Sequence, residues 1–392
     1  MNWIFTFILI GSSVAGFIFG KVNVWIAQGL AVQIGVLLLF SFSLFEKRNK
    51  FQVSNIPLAL LNIWVAGITI FLTYKRIPVT DLVGKYSLYP FIVASFFPYF
   101  NFLCLLFFYK FTVEHLNKDN IIKLLGLMRY FIIGTLFLCV LQVFNLSQFY
   151  KPLFEWHSLN NIVTGFLGNG THLSGFLGMC VPLFLWRGKR EDILALILLF
   201  LVLCYTGVSN GDPSISGFIV GVSLLMTYLI AKKRIWFFIA LTGMGITAYI
   251  AYPYLPKEFF SLSGRIEWFK FYWQEFHNMP ITGVGLGKIY EIANKTPFPQ
   301  LRHLHLEYFH YAFELGIVCL FFIINLIYHF FKQRSGCEVQ FCLKLIVLGF
   351  LLSCLFNYAS HLWIPSIWAM FCYASFMCIK SEVDYGFRNS KL

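Results

Sequence analysis

The chain has 392 residues, of which 59% are hydrophobic and only 12% charged, and its formal net charge is +13. A soluble domain of this size could not hide so much apolar surface, so soluble enzymes and scaffolds are excluded. The basic residues are scattered among short segments and do not gather on one face, so nucleic acid is not an expected partner.

Apolar runs long enough to cross about 30 Å of hydrocarbon recur along the chain. A backbone in lipid must satisfy its own hydrogen bonds, so each run is predicted to be a helix. About twelve spans are expected, at 3–20, 22–45, 56–74, 88–109, 124–144, 172–186, 193–208, 214–230, 235–254, 306–331, 343–360 and 367–379. The predicted fold is all-α: one integral membrane domain over 1–392, a polytopic helical bundle. The first span lacks a basic leader and a small-residue cleavage site, so it is read as a retained helix. The ten cysteines fall in spans or in one inner loop and imply no disulfide framework.

Charge sets the expected orientation. With the N-terminus inside, inner loops carry Lys47, Arg48 and Lys50, then Arg187, Lys189 and Arg190, then Lys232, Lys233 and Arg234. That pattern follows the positive-inside rule and places both termini in the cytoplasm. The net charge then reflects topology and contact with anionic membrane lipids. Arg129 lies within a span near its inner end, where snorkelling to the interface is the expected outcome.

Two outer segments are long enough to carry function. The first is 145–171, ending Gly168-Asn169-Gly170-Thr171 before His172. The second, 255–304, is the large outer loop. It opens Ser261-Leu262-Ser263-Gly264-Arg265 and then spaces Ile266, Phe269, Tyr272, Trp273 and Phe276 at helical intervals. The spacing predicts an aromatic helix in the interface, which by itself is a membrane-surface anchor. Ser263 can cap that helix with Arg265 in its first turn, and free amides beside a guanidinium suit a phosphate. Further on come Gly283-Val284-Gly285-Leu286-Gly287-Lys288, then Arg302-His303-Leu304-His305, then Glu314-Leu315-Gly316. The glycine run is one residue short of a Walker motif and has Ile289 where Ser or Thr is required, so it reads as a tight turn. His303, His305 and His310 could suggest zinc, but no acidic or cysteine ligand follows at metal spacing, and no metal is assigned.

Taken in order, Ser-Gly-Arg265, Trp268, the run from Met279 to Gly287, His305 and Glu314-x-Gly316 resemble the O-antigen ligase and O-antigen polymerase superfamily. The resemblance is densest over 261–316 and weaker back to Gly168–Trp186. It implies an inner-membrane glycosyltransferase with a GT-C-like helical fold and an active site facing the periplasm. The implied donor is a glycan on a polyprenyl diphosphate such as undecaprenyl diphosphate. The implied acceptor is a sugar hydroxyl, on a glycan or on lipid A-core. The implied reaction needs no cofactor or metal and serves lipopolysaccharide or other surface polysaccharide synthesis.

By the same resemblance, Arg265 falls on the arginine that contacts the donor diphosphate, and His305 falls on the family histidine. His303 competes for that place, because a two-residue slip exchanges them. Leu306 stands where the family has Asn, while Glu314 and Gly316 match. An earlier family arginine has no counterpart in Ser209–Ser216, and Lys288 or Arg302 is the candidate replacement for binding substrate. Elementary chemistry supports these types of residue. Fixed cations stabilise the charge that develops on a departing diphosphate. An imidazole with a reference pKa near 6.5 suits an acceptor hydroxyl as base or hydrogen-bond partner. Glu314 is either structural or orients an imidazole, and His310, four residues before it, is its natural helical neighbour.

Two other classes stay open. A flippase for lipid-linked glycans would also have many spans, but would spread its charges over both halves of the bundle. A structural membrane protein would use the aromatic segment only as an anchor. Within the enzyme class, ligase, polymerase and protein O-oligosaccharyltransferase differ by acceptor, which residue patterns do not separate.

Overall fold

The computed structural model describes residues 2–14, 24–45, 60–67, 91–144, 146, 163–167, 169–187, 189–210, 212–232, 272–274, 281–285, 306–356 and 363–389, with positions 235, 238, 239, 242, 270, 276 and 277. Helix accounts for 89% of the structure, and none of the described residues lies in a strand. The all-α expectation holds for the described residues. Among the described residues, three helices are long and apolar enough to cross a membrane, over Lys118–Val143, Ile215–Lys232 and Glu338–Leu355. None of the ten cysteines forms a disulfide.

The chain gathers into two compact units. One comprises residues 1–46, 107–261 and 335–392, and the other 47–106 and 262–334.

In the first unit, α1 (Asn2–Thr6) continues into a π-helical turn over Phe7–Gly11. Helix α2 spans Val24–Phe45, and α3 (Phe91–His115) ends in this unit. Helix α4 (Lys118–Val143) starts cleanly because the Asn117 side chain accepts from the Asn120 amide, relieving one orphan donor. Asn169 does the same for α5 (Gly170–Cys180), accepting from the amides of Thr171 and His172. Pro182 has no amide to continue the ladder, and α5 tightens into a 3-10 turn over Val181–Phe184. The run 172–186 is therefore not one regular helix. Helices α6 (Arg190–Asn210), α7 (Asp212–Lys232), α10 (Glu338–Phe356) and α11 (Trp363–Asn389) complete the unit.

Helix α5 lies in the middle of this unit, against α7, α10 and α6. Its approach to α7 is close enough that a Cβ on Gly178 would strike the Gly217 carbonyl, and one on Gly217 would strike Ser174. Trp368 is fully buried and ties three elements together. Its indole meets Phe176 edge-on at 4.8 Å, lies 6.0 Å from Phe131, and donates to the Leu9 carbonyl at 2.7 Å. Outward-facing positions are apolar rather than polar: Ile193, Leu194, Ile197 and Leu201 of α6 are all exposed. Large apolar side chains on one helix face suit lipid and not water.

Arg129 does not snorkel. It is 2% exposed, and its Nε donates to Asp192 of α6, which is itself fully buried. Glu191 adds a second carboxylate at 3.6 Å. A buried charge needs a partner, and Arg129 finds one 63 residues away on another helix, with the largely exposed Glu191 on its other side.

In the second unit, residues 60–67 are helical, as is the first part of α3. Helices α8 (Glu307–Leu315) and α9 (Ile317–Lys332) follow each other with one residue between them. The expected single span 306–331 is thus two helices. The break is Gly316, at φ 79° and ψ 169°, a conformation that favours glycine. Hydropathy does not register it, because both halves are apolar.

Candidate functional site

Breaking a helix inside apolar surroundings strands the last carbonyls of its final turn. The second unit answers each one. The Gly316 amide donates to Ala312 at 2.8 Å, the Val284 amide to Phe313 at 2.9 Å, and the Gly285 amide to Glu314 at 2.8 Å. The Trp64 indole donates to the Leu315 carbonyl at 2.9 Å. Four consecutive carbonyls of α8 are therefore satisfied, two of them by the glycine run.

The fit is tight in both directions. A Cβ on Gly316 would collide with the Ile281 carbonyl, and one on Gly283 would collide with the backbone of Glu314. Gly283 and Gly316 also have positive φ, at 69° and 79°. The described part of the glycine run, Gly283–Gly285, follows a turn at Ile281–Thr282, bends at Val284 and docks on the Glu-x-Gly segment, while Gly287 lies outside the described residues. Two motifs about thirty residues apart in the sequence form one clasp.

The clasp positions a buried polar row on α8. Glu307, His310 and Glu314 are each at most 2% exposed. They stand at i, i+3 and i+7, so they share one helical face. His310 Nε2 lies 3.3 Å from Glu314 Oε1, the pairing expected of helical neighbours four apart. Glu314 thus holds the glycine run with its carbonyl and His310 with its carboxylate. Glu307 was not singled out from the sequence. The signal was present in the spacing Glu307, His310, Glu314 on an otherwise apolar helix.

Another face of α8 is aromatic. Phe309, Ala312 and Phe313 form a core with Tyr272 and Phe276. The Tyr272 ring meets Phe313 edge-on at 5.3 Å. Burial pushes the pKa of the Tyr272 hydroxyl up to about 12. Residues 270, 272–274 and 276 are helical, in agreement with the helical spacing of that segment. A second core joins Leu61 and Val65 to Leu315 and Cys319.

Of the candidate site residues, Glu314 is described and lies in this arrangement. Arg265, Lys288, Arg302, His303 and His305 lie outside the described residues. Gly285 and Leu306, which bracket the run holding Lys288, Arg302, His303 and His305, both meet α8. Gly285 bonds to its C-terminal carbonyl, and Leu306 is its N-cap residue. Among the described residues no group of three His, Cys, Asp or Glu side chains converges as metal ligands.

No protein-family model matches the chain, and no curated protein matches it.

Proposed function

We propose that this chain is a membrane glycosyltransferase of the O-antigen ligase or polymerase type. It moves a glycan from a polyprenyl diphosphate to a sugar hydroxyl, on the periplasmic face of a bacterial inner membrane. The observation that carries the reading is the clasp of Gly283–Gly285 on Phe313–Gly316. It gives a common physical purpose to two segments whose order resembles that family. The proposed frame has about twelve spans in a GT-C-like bundle, both termini inside and 255–304 outside.

In this reading Arg265 grips the donor diphosphate through its planar fork, with Lys288 or Arg302 as the second cation. The anomeric carbon–oxygen bond to the diphosphate breaks, and both bonding electrons leave with the lipid diphosphate. The acceptor oxygen forms the new glycosidic bond, and its proton passes to His305, with His303 beside it. Fixed positive charge lowers the barrier because negative charge grows on the leaving group. Glu314 acts at a distance, by holding His310 and the glycine run.

The test is a purified, full-length protein with lipid-linked donor extracted from a strain lacking the gene. Transfer to acceptor should be detected with wild type and lost with His305→Ala. A general base commonly contributes about 10²–10⁴-fold. Normal turnover by His305→Ala with loss in His303→Ala assigns the role to His303. Activity in both variants would sink the catalytic reading of this segment. In cells, accumulated full-length polymer in the deletion strain points to a ligase, and accumulated single repeat units point to a polymerase.

A further inference from the structure

Two arginines at one end of α4 meet different surroundings. Arg129 draws in both nearby carboxylates of α6, Asp192 and Glu191. Arg187 lies one turn closer to the start of α4, with a guanidinium nitrogen 3.7 Å from where a Cβ on Gly126 would stand. It is half-buried and pairs with no carboxylate among the described residues. Its guanidinium lies instead 4.7 Å from the centre of the Trp186 ring. Lys189 and Arg190 follow it, both exposed. The acids nearest in sequence are thus taken by Arg129, and three cations within four residues keep no acidic partner among the described residues.

Position says what this group meets. Just beyond it, α6 exposes Ile193, Leu194 and Ile197, and α4 exposes Leu127 and Tyr130. Cations ending where exposed apolar side chains begin match the step from lipid headgroups to acyl chains. A Trp at that step suits the interface. Stacking on the indole spends the rotamer freedom of Arg187 before any ligand arrives. Its planar fork then fits two oxygens of one phosphate, which a hydrated ammonium does not.

We propose that Arg187 anchors a binding site for the phosphate of an anionic phospholipid, in the leaflet nearest this end of α4 and α6. Arg187 takes two phosphodiester oxygens through its fork. Lys189 and Arg190 repel a headgroup that carries its own ammonium, which sets anionic lipid above zwitterionic. The inference needs a membrane location and not the glycosyl-transfer reading, so either can fail alone.

The test uses full-length protein in a neutral detergent, where no bilayer surface potential gathers lipid. Phosphatidylglycerol, phosphatidylethanolamine and inorganic phosphate are titrated in separately, and bound molecules are counted by native mass spectrometry. Wild type should hold one phosphatidylglycerol more tightly than any phosphatidylethanolamine, and excess inorganic phosphate should not displace it. Arg187→Ala should weaken that lipid about tenfold, and Arg187→Lys nearly as much, because a point charge lacks the fork. Lys118→Ala removes an equal charge from the exposed start of α4 and should leave binding unchanged. Arg187→Gln, and Lys189→Ala with Arg190→Ala at exposed positions, test the same site should the alanine variant fold poorly, and each should weaken the lipid. Wild-type binding in these variants overturns the site. An equal loss in Lys118→Ala reports net charge alone and overturns it too. Displacement by phosphate assigns a soluble anion in place of lipid, and equal affinity for the zwitterionic lipid overturns the anionic assignment.

Discussion

The amide of Gly285 donates to the carbonyl of Glu314 at 2.8 Å, while the Glu314 carboxylate lies 3.3 Å from His310. One residue thus couples the glycine run to the buried imidazole. The break after α8 is tolerated because this bond and its neighbours satisfy carbonyls that lipid could not.

Gly316→Ala should destabilise the second unit. It forces a side chain into a positive-φ conformation and against the Ile281 carbonyl. Backbone strain of this kind costs on the order of 1–3 kcal/mol, before the clash is relieved. Gly134→Ala is the control, because its Cβ would meet nothing within 4 Å and it lies inside α4. Melting curves in detergent should show a fall for the first and no loss for the second. Equal melting temperatures would remove the clasp as a structural element.

The His310–Glu314 pair should behave as a unit. Removing either partner breaks a buried polar contact, so each single replacement should lower the melting temperature. A double replacement, His310→Leu with Glu314→Leu, should cost less than the sum of the singles. Additive losses in a thermal double-mutant cycle would show that the two side chains do not interact.

Arg129 and Asp192 make a parallel case in the first unit. Asp192 Oδ2 has no hydrogen-bond partner among the described residues, so its compensation comes largely from Arg129. Arg129→Ala should destabilise by about 3–5 kcal/mol, and Arg129→Met with Asp192→Leu should recover much of that loss. Wild-type stability in Arg129→Ala would return Arg129 to the snorkelling interpretation.

Arg265→Lys should lose transfer almost as completely as Arg265→Ala, because a point charge cannot grip a diphosphate bidentately. The measurement is surface glycan at matched protein level. Full complementation by the alanine variant takes Arg265 out of the site.

Compartment-sensitive reporter fusions should give a cytoplasmic signal after Lys232 and a periplasmic one near Lys295. The basic triplet Lys232–Arg234 is the warrant, under the positive-inside rule. A cytoplasmic signal near Lys295 would invert the topology and the proposed site with it.

Composition and run length alone determine that the chain is helical and apolar, because in lipid each helix must close its own hydrogen bonds. The caps at Asn117 and Asn169, the tightening at Pro182 and the pairing of His310 with Glu314 are local, so spacing along one helix is sufficient to read them. The break at Gly316 is different. A glycine in an apolar run becomes a helix end only if donors from elsewhere reach its carbonyls, and those donors are Val284, Gly285 and Trp64. Asp192 beside Arg129 is likewise invisible to periodicity, because no spacing rule links residues on separate helices. The sequence by itself determined the helical, apolar character of the described segments and the order of the motifs. Only tertiary structure decided which carbonyl, carboxylate and glycine meet, since distant partners are chosen by packing and by the need to leave no buried polar group uncompensated.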